Sequence, residues 1–448
     1  MNKVFIYSII LMLFVMCLGF ASASENVHGA NGEILNVDET NANVIVNDDI
    51  LAIGNNEDSF SDEEMLSYDN SQESFRELQQ SNPILNKNHT FNSGWNEINN
   101  DCLGMSEDNV LGDVNPPGSF QDLKQLITSA GVNATISLDR DYRYMGSEDI
   151  DIILIGDKSV TINGNNHTID GNHQAQIFEI NYGTNITLIN ITFANACADS
   201  HFAGAISFKD MYTSNIIDCN FVNNMGKDGG AIHVMTGNLT ITRCNFVDNF
   251  AYNSQYVSCG GAIYIGYGWY QRYRANVTIV DSSFENNSAK SWGGAIHLSS
   301  TQAENQDHIL FIANCSFVNN TALDFNGGAI HIQDTDNHII VNCSFVENSA
   351  KYGGAIHLAE VKNVNIANCS FVNNSASNGK GDGGSICQGP WSANTTIFNC
   401  SFVNSLGYNG GSISVDSASY CKVINCSFVN STAIMVVALL LGPDMRAV

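Results

Sequence analysis

Positive charge is what this chain most lacks. Lysine and arginine together number 18 against 45 aspartates and glutamates, a formal net charge of −27 over 448 residues. So few cations cannot build the phosphate-neutralising stripe of a nucleic-acid binder, so no nucleic-acid partner is expected. Adhesion to an anionic membrane by charge alone is disfavoured on the same ground. Long apolar runs are missing after the first: residues 434–441 cover eight positions, well short of the roughly 18 that a membrane span needs. No integral span is therefore expected in the mature chain. Cysteine is plentiful (13), but no two are spaced as C-x-x-C, so no zinc-type ligand set is predicted. No motif demands a cofactor. Proline is scarce (5), which makes Pro116-Pro117-Gly118 conspicuous as punctuation.

What is present divides the chain. Residues 1–23 read as a secretory signal peptide, with Lys3, an apolar core over 4–20 and Ala21-Ser22-Ala23 as a small-residue cleavage site. This places the mature protein outside the cytoplasm. Residues 24–115 hold 19 acidic residues against Arg76 and Lys87 and show little periodicity, so they are expected to be a disordered acidic leader. Residues 116–175 read as an N-terminal cap with the first coils. Ser119 caps a short helix whose apolar face is Phe120, Leu123, Leu126, Ile127 and Ala130, ended by Gly131, and strand-like pieces follow at 135–138, 150–155, 159–162 and 167–171. Such a helix would shield the open end of a coil array.

Residues 176–432 are a repeat. Alignment on one phenylalanine gives Phe193, Phe221, Phe246, Phe284, Phe317, Phe345, Phe371, Phe402 and Phe428, at intervals of 25 to 38 residues. In Gly-Ala-Ile-His-Leu (354–358), Ile356 and Leu358 share one strand parity and His357 the other. Alternation breaks at Asn368, between inward Ile366 and inward Cys369, which calls for a left-handed residue. Asn190, Asn314, Asn342, Asn399 and Asn425 hold that slot elsewhere, with Asp218, Arg243 and Asp281 as exceptions. Three short strands and three turns per repeat make an all-β, right-handed parallel β-helix of about ten coils, roughly 50 Å long at ~4.8 Å per coil. Residues 433–448 look irregular or truncated, and the chain is expected to be a fragment of something longer.

Gly-Gly-Ala-Ile is intact at 229–232, 260–263, 293–296, 327–330 and 353–356; it becomes Gly-Gly-Ser-Ile at 383–386 and 410–413, and Ala-Gly-Ala-Ile at 203–206. Phe-x-x-Asn recurs from Phe221/Asn224 to Phe371/Asn374 and yields to Ser405 and Ser431 in the last two repeats. This combination resembles the repeats of polymorphic outer-membrane proteins, and more closely the adhesin-like surface proteins of methanogenic archaea. The lead-in over 119–171 is similar to that of the archaeal group. The resemblance covers about 119–431 and implies an exported, surface-displayed protein with an adhesive role. The translocator barrel, stalk or wall-binding modules usual in those families are not recognisable here.

Several constellations are candidates for chemistry. Cys219, Cys244, Cys315, Cys343, Cys369, Cys400 and Cys426 share one inward slot and are read as buried thiols acting as small hydrophobes. Off the ladder, Cys259, Cys387 and Cys421 are the better candidates for oxidation. His233, Tyr264, His297, His331 and His357, continued by Cys387 and Ser414, are expected as a ring-bearing stripe on an exposed outward sheet face. Recognition of a sugar or wall polymer is one use for it. Mutual repulsion of stacked imidazoliums would hold the central pKa values below the free value. The insertion at 266–275 interleaves Tyr267, Trp269, Tyr270 and Tyr273 with Arg272 and Arg274, which suits stacking on sugar faces and pairing with uronate carboxylates. Among the N-x-S/T sequons, Asn238, Asn276 and Asn394 are candidate glycan acceptors, Asn394 as a loop site. Asp334 and Glu360 follow equivalent strands one coil apart, a spacing that a retaining glycosidase uses.

The resulting expectation is a secreted, cell-surface β-helix that attaches to glycans, to cell-wall polymer or to surface proteins of other cells, and is not an enzyme. The alternative is a polysaccharide lyase or glycoside hydrolase of the pectin-degrading β-helix type, for which no concentrated Asp, Arg and Lys group is found.

Overall fold

The computed structural model describes residues 116–440 apart from 157, 182–183, 199–201, 210, 254–256, 267–273, 301–307, 377–380, 416–418 and 434–438. The signal and acidic-leader assignments over 1–115 lie outside the described residues.

Helix α1 (Phe120–Ser129) opens the described chain. Ser119 and Asp122 form a reciprocal capping box, each side chain accepting from the other's backbone N–H. Phe120, Leu123 and Ile127 are buried at the first coils, while Leu126 and Ala130 pack against the core only in part. Asp149 ties the helix start down by accepting from the Phe120 and Gln121 N–H groups.

Every strand pairing in the array is parallel, and three sheets of eleven strands run along it. The first sheet runs from Ala134–Ser137 to Ser419–Ile424, the second from Tyr142–Arg143 to Ser427–Val429, and the third from Ile153–Ile155 to Leu439–Leu440. The chain visits them in that order on each coil, so this is the parallel β-helix that the repeat predicts, with eleven strands per sheet. The apolar tail supplies the last third-sheet strand, Leu439–Leu440 beside Ile413 and Ser414.

Sequence periodicity missed a fourth, two-residue ribbon: Met225–Gly226, Phe250–Ala251, Ser288–Ala289 and Thr321–Ala322 form one piece, and Ser375–Ala376 with Leu406–Gly407 another. A buried amide ladder creates it. In Asn224, Asn249, Asn287, Asn320, Asn348 and Asn374, each side chain turns inward and is at most 1% exposed. From Asn249 on, each Oδ1 accepts the N–H and the Nδ2–H of the ladder asparagine one coil earlier, and each Nδ2 also donates to a phenylalanine carbonyl. The Phe-x-x-Asn motif is thus a complete hydrogen-bonding unit, which is what permits a polar group at that depth.

Inside, Phe193 to Phe428 stack with ring centroids 4.7–5.0 Å apart. The corner slot is left-handed in every coil where alternation predicts it, including Asp218 (φ 54°), Arg243 (φ 51°) and Asp281 (φ 53°). The first glycine of the pair is left-handed as well, as at Gly353 (φ 62°). The second is required by close approach: a Cβ on Gly294 would sit 2.0 Å from the Gly328 carbonyl oxygen.

Candidate functional site

The Gly-Gly-Ala-Ile-His strands place His233, Tyr264, His297, His331 and His357 side by side in the third sheet. Their rings stack at 4.9 Å (His233–Tyr264), 5.3 Å (Tyr264–His297), 4.9 Å (His297–His331) and 5.0 Å (His331–His357). The stripe is therefore real, but its expected exposure is wrong. His233, His297, His331 and His357 are 0%, 2%, 1% and 6% exposed, and Tyr264 is half-buried. Part of the cover comes from aromatic rings in the turns just before the glycines. Phe202 lies 5.0 Å from His233, Trp292 lies 5.8 Å from both His297 and His331, and Tyr352 lies 6.4 Å from His357. Phe325 packs on Trp292 in turn. These covering rings were not singled out from sequence, although the signal is there: an aromatic stands one or two residues before Gly204, Gly293, Gly327 and Gly353.

Burial governs the electrostatics. It draws His233 down to about 4 and His297 and His357 to about 3. His331 is pushed well below its ordinary value, first by burial and then by the charges of His297 and His357. The expected direction is the same, but desolvation leads and mutual repulsion comes second. Neutral rings can hydrogen-bond each other, and His331 Nδ1 lies 2.9 Å from His297 Nδ1, one donating and one accepting. His233 Nε2 is 2.7 Å from the Gly266 carbonyl oxygen. His233 Nδ1 and His357 Nδ1 find no partner among the described residues. Burial also raises Tyr264, whose hydroxyl meets Ser299 Oγ at 3.2 Å.

The insertion follows Gly266 at the end of this sheet's strand and precedes the first-sheet strand Ala275–Val280; Arg274, just before it, is exposed. Tyr267, Trp269, Tyr270, Arg272 and Tyr273 lie outside the described residues. Gly237 N–H donates to the Arg274 carbonyl, so the returning strand starts in register with the coil before it.

Asp334 and Glu360 do sit one coil apart, after paired Gln333 and Ala359. The Asp334 carboxylate accepts a hydrogen bond from Gln333 Nε2 at 3.1 Å. Partial burial, then the charge of Glu360, pushes Asp334 up to about 6.

At the left-handed corner between the first and second sheets, Cys315, Cys343, Cys369 and Cys400 are 2–3% exposed, and each thiol donates to the carbonyl two residues earlier. The Asn-Cys-Ser corners from 314–316 to 425–427 line an open groove of 810 Å³. Cys259, Cys387 and Cys421, the better candidates for oxidation, are all buried. Among the described residues no group of three His, Cys, Asp or Glu side chains is placed to hold a metal.

The candidate glycan acceptors are strand residues. Asn238 and Asn276 pair across adjacent coils, Asn276 Nδ2 donating to Asn238 Oδ1 at 2.8 Å. Asn394 is not a loop site as expected: it lies in Ala393–Phe398, left-handed, and donates to Asn363 Oδ1 at 3.2 Å.

Residues 281–299 match the Chlamydia polymorphic membrane protein repeat. That stretch holds the second- and third-sheet part of one coil: the left-handed corner Asp281, core Phe284, ladder Asn287, covering Trp292, the double glycine and His297. A comparison with curated proteins finds no match. Among the described residues, no helix is long and apolar enough to cross a membrane.

Proposed function

We propose that this protein is a cell-surface, adhesin-like β-helix that attaches to a glycan, a cell-wall polymer or the surface proteins of another cell. The observation that carries this reading is the repeat itself, which matches that of a bacterial membrane-protein group and folds into a coil array presenting the same side-chain positions eleven times. A rigid, periodic surface suits an extended partner, since one weak contact is multiplied along the axis. The histidine and aromatic rings serve as a buried spine behind that surface. Recognition falls to the 266–275 insertion, where Trp269, the tyrosines, Arg272 and Arg274 combine ring faces with the planar cations scarce elsewhere in the chain.

The test is binding of the full chain to an array of neutral and uronic-acid polysaccharides, with reducing ends and unsaturated products assayed in parallel. Retention without product formation supports attachment. Turnover abolished by Asp334→Ala or Glu360→Ala would establish the carbohydrate-active enzyme instead.

A further inference from the structure

We infer that the row of thiols from Cys315 to Cys426 is a binding site for soft monovalent cations of the copper(I) or silver(I) class, each held in line between the thiolates of two successive coils. The N–H groups of Ser344, Ser370, Ser401 and Ser427 donate to the carbonyls of Cys315, Cys343, Cys369 and Cys400 at 2.9–3.0 Å, so the cysteines of successive coils stand side by side. Their side chains repeat one conformation. Every Sγ in the row lies 3.2–3.3 Å from the carbonyl oxygen two residues earlier. Those of Cys315, Cys369, Cys400 and Cys426 also lie 3.7–3.8 Å from an isoleucine carbonyl oxygen one coil back. Equal conformations on in-register strands set successive sulfurs one strand spacing apart, ~4.8 Å.

That spacing selects the occupant. It is more than twice the ~2.05 Å of a disulfide, and parallel side chains do not turn toward each other. A tetrahedral zinc site takes four ligands, whereas each gap in the row offers two. The spacing is close to twice the ~2.3 Å of a metal–thiolate bond, so a two-coordinate cation fits between neighbouring sulfurs with no change of rotamer. Sulfur donors of this kind favour copper(I). Access and charge agree. All five cysteines line the open groove of 810 Å³, and half-buried Cys426 opens the row at its last coil. The groove's asparagine amides are engaged with one another, Asn342 with Asn314, Asn399 with Asn368 and Asn425 with Asn399, which leaves sulfur as the donor to a soft ion. Asp281 stands at the head of the same corner, accepting from Asn314, and the net charge of −27 draws cations to the surface. Each thiol gives its proton to solvent on binding, so filling the four gaps between five thiols takes up four cations and releases five protons.

The test is titration of the reduced full chain with silver(I) nitrate in chloride-free buffer, reading bound silver per chain, proton release and X-ray absorption at the silver edge. Serine is accepted in this slot, since Ser282 fills it with its Oγ donating to the Val280 carbonyl at 2.9 Å. The double variant Cys343→Ser/Cys369→Ser breaks three of the four gaps and should bind three fewer silver ions per chain. Cys421→Ser, off the row, should bind as many as wild type; circular dichroism checks that both fold. Two sulfur neighbours per silver ion are expected, and copper(I) delivered anaerobically should show the same loss. Silver uptake unchanged in the double variant overturns the inference, as does an equal loss in Cys421→Ser or a shell of three or four sulfurs around each ion. Disulfide mapping that finds Cys343 or Cys369 oxidised in the chain as purified overturns it in favour of a redox role.

Discussion

At His331 the imidazole is held between His297 and His357 with Trp292 against it, so an added proton would have no water to solvate it. The folded-state pKa of such a ring is depressed, and its contribution to stability is fully present above the unfolded value near 6.5. It is lost as pH falls through that value toward about 3, where His297 and His357 titrate. Each ring that must charge steepens the acid limb by about 1.4 kcal/mol per pH unit. Thermal melting between pH 7 and pH 4 should therefore show a steep acid loss that His331→Leu reduces. An NMR titration placing His331 at or above 6.5 would contradict the burial. Asp334 carries the opposite sign. Partial burial, then the charge of Glu360, raises its pKa to about 6, so its contribution is fully present below the ordinary carboxylate value and is lost as pH rises through 6. Asp334→Asn is expected to raise the melting temperature at pH 8, by less at pH 5, and to leave it nearly unchanged at pH 3.

Single elements explain how far the sequence could be read. The parity break at Asn368 located a left-handed corner because the core is apolar on one side and strand parity admits no other solution. The same logic caught Arg243, whose side chain gives no hint of a turn yet pairs with Asp218 one coil back. Parity alone cannot tell what covers an outward position, and that is why the histidine stripe was placed in solvent. Covering it takes a turn that folds back, a non-local fact signalled weakly by Trp292 and Tyr352 beside their glycines. The Phe-x-x-Asn asparagine was legible as a motif and silent as a mechanism, since its partners sit 25 to 41 residues away. Its energetic weight is testable. Asn320→Ala strands the buried Asn287 N–H and Nδ2 and the Phe284 carbonyl, and should cost about 3 kcal/mol in urea unfolding. Asn319→Ala, in the exposed ladder beside it, should cost under ~1 kcal/mol. Gly294→Ala, with a Cβ driven onto the Gly328 carbonyl, should disrupt the coil outright and abolish amide-exchange protection at its neighbours.

For the whole molecule, the core, the ladders and the covered rings account for nearly every repeated residue, which leaves function to the surfaces between them. Among the described outward residues of the first sheet Lys422 alone is charged, while Asp281, Asp334 and Glu360 stand at corners. The insertion at 266–275 interrupts that regularity with aromatic and cationic side chains. The central claim is that the repeat is scaffold and the insertion is the contact. It is tested most directly by surface plasmon resonance on the immobilised polysaccharide that the full chain retains best, comparing wild type with His331→Phe and with Trp269→Ala/Arg272→Ala. The account predicts that His331→Phe binds within about twofold of wild type and that the insertion variant weakens by at least about tenfold; a tenfold loss in His331→Phe with the insertion variant unaffected would contradict it.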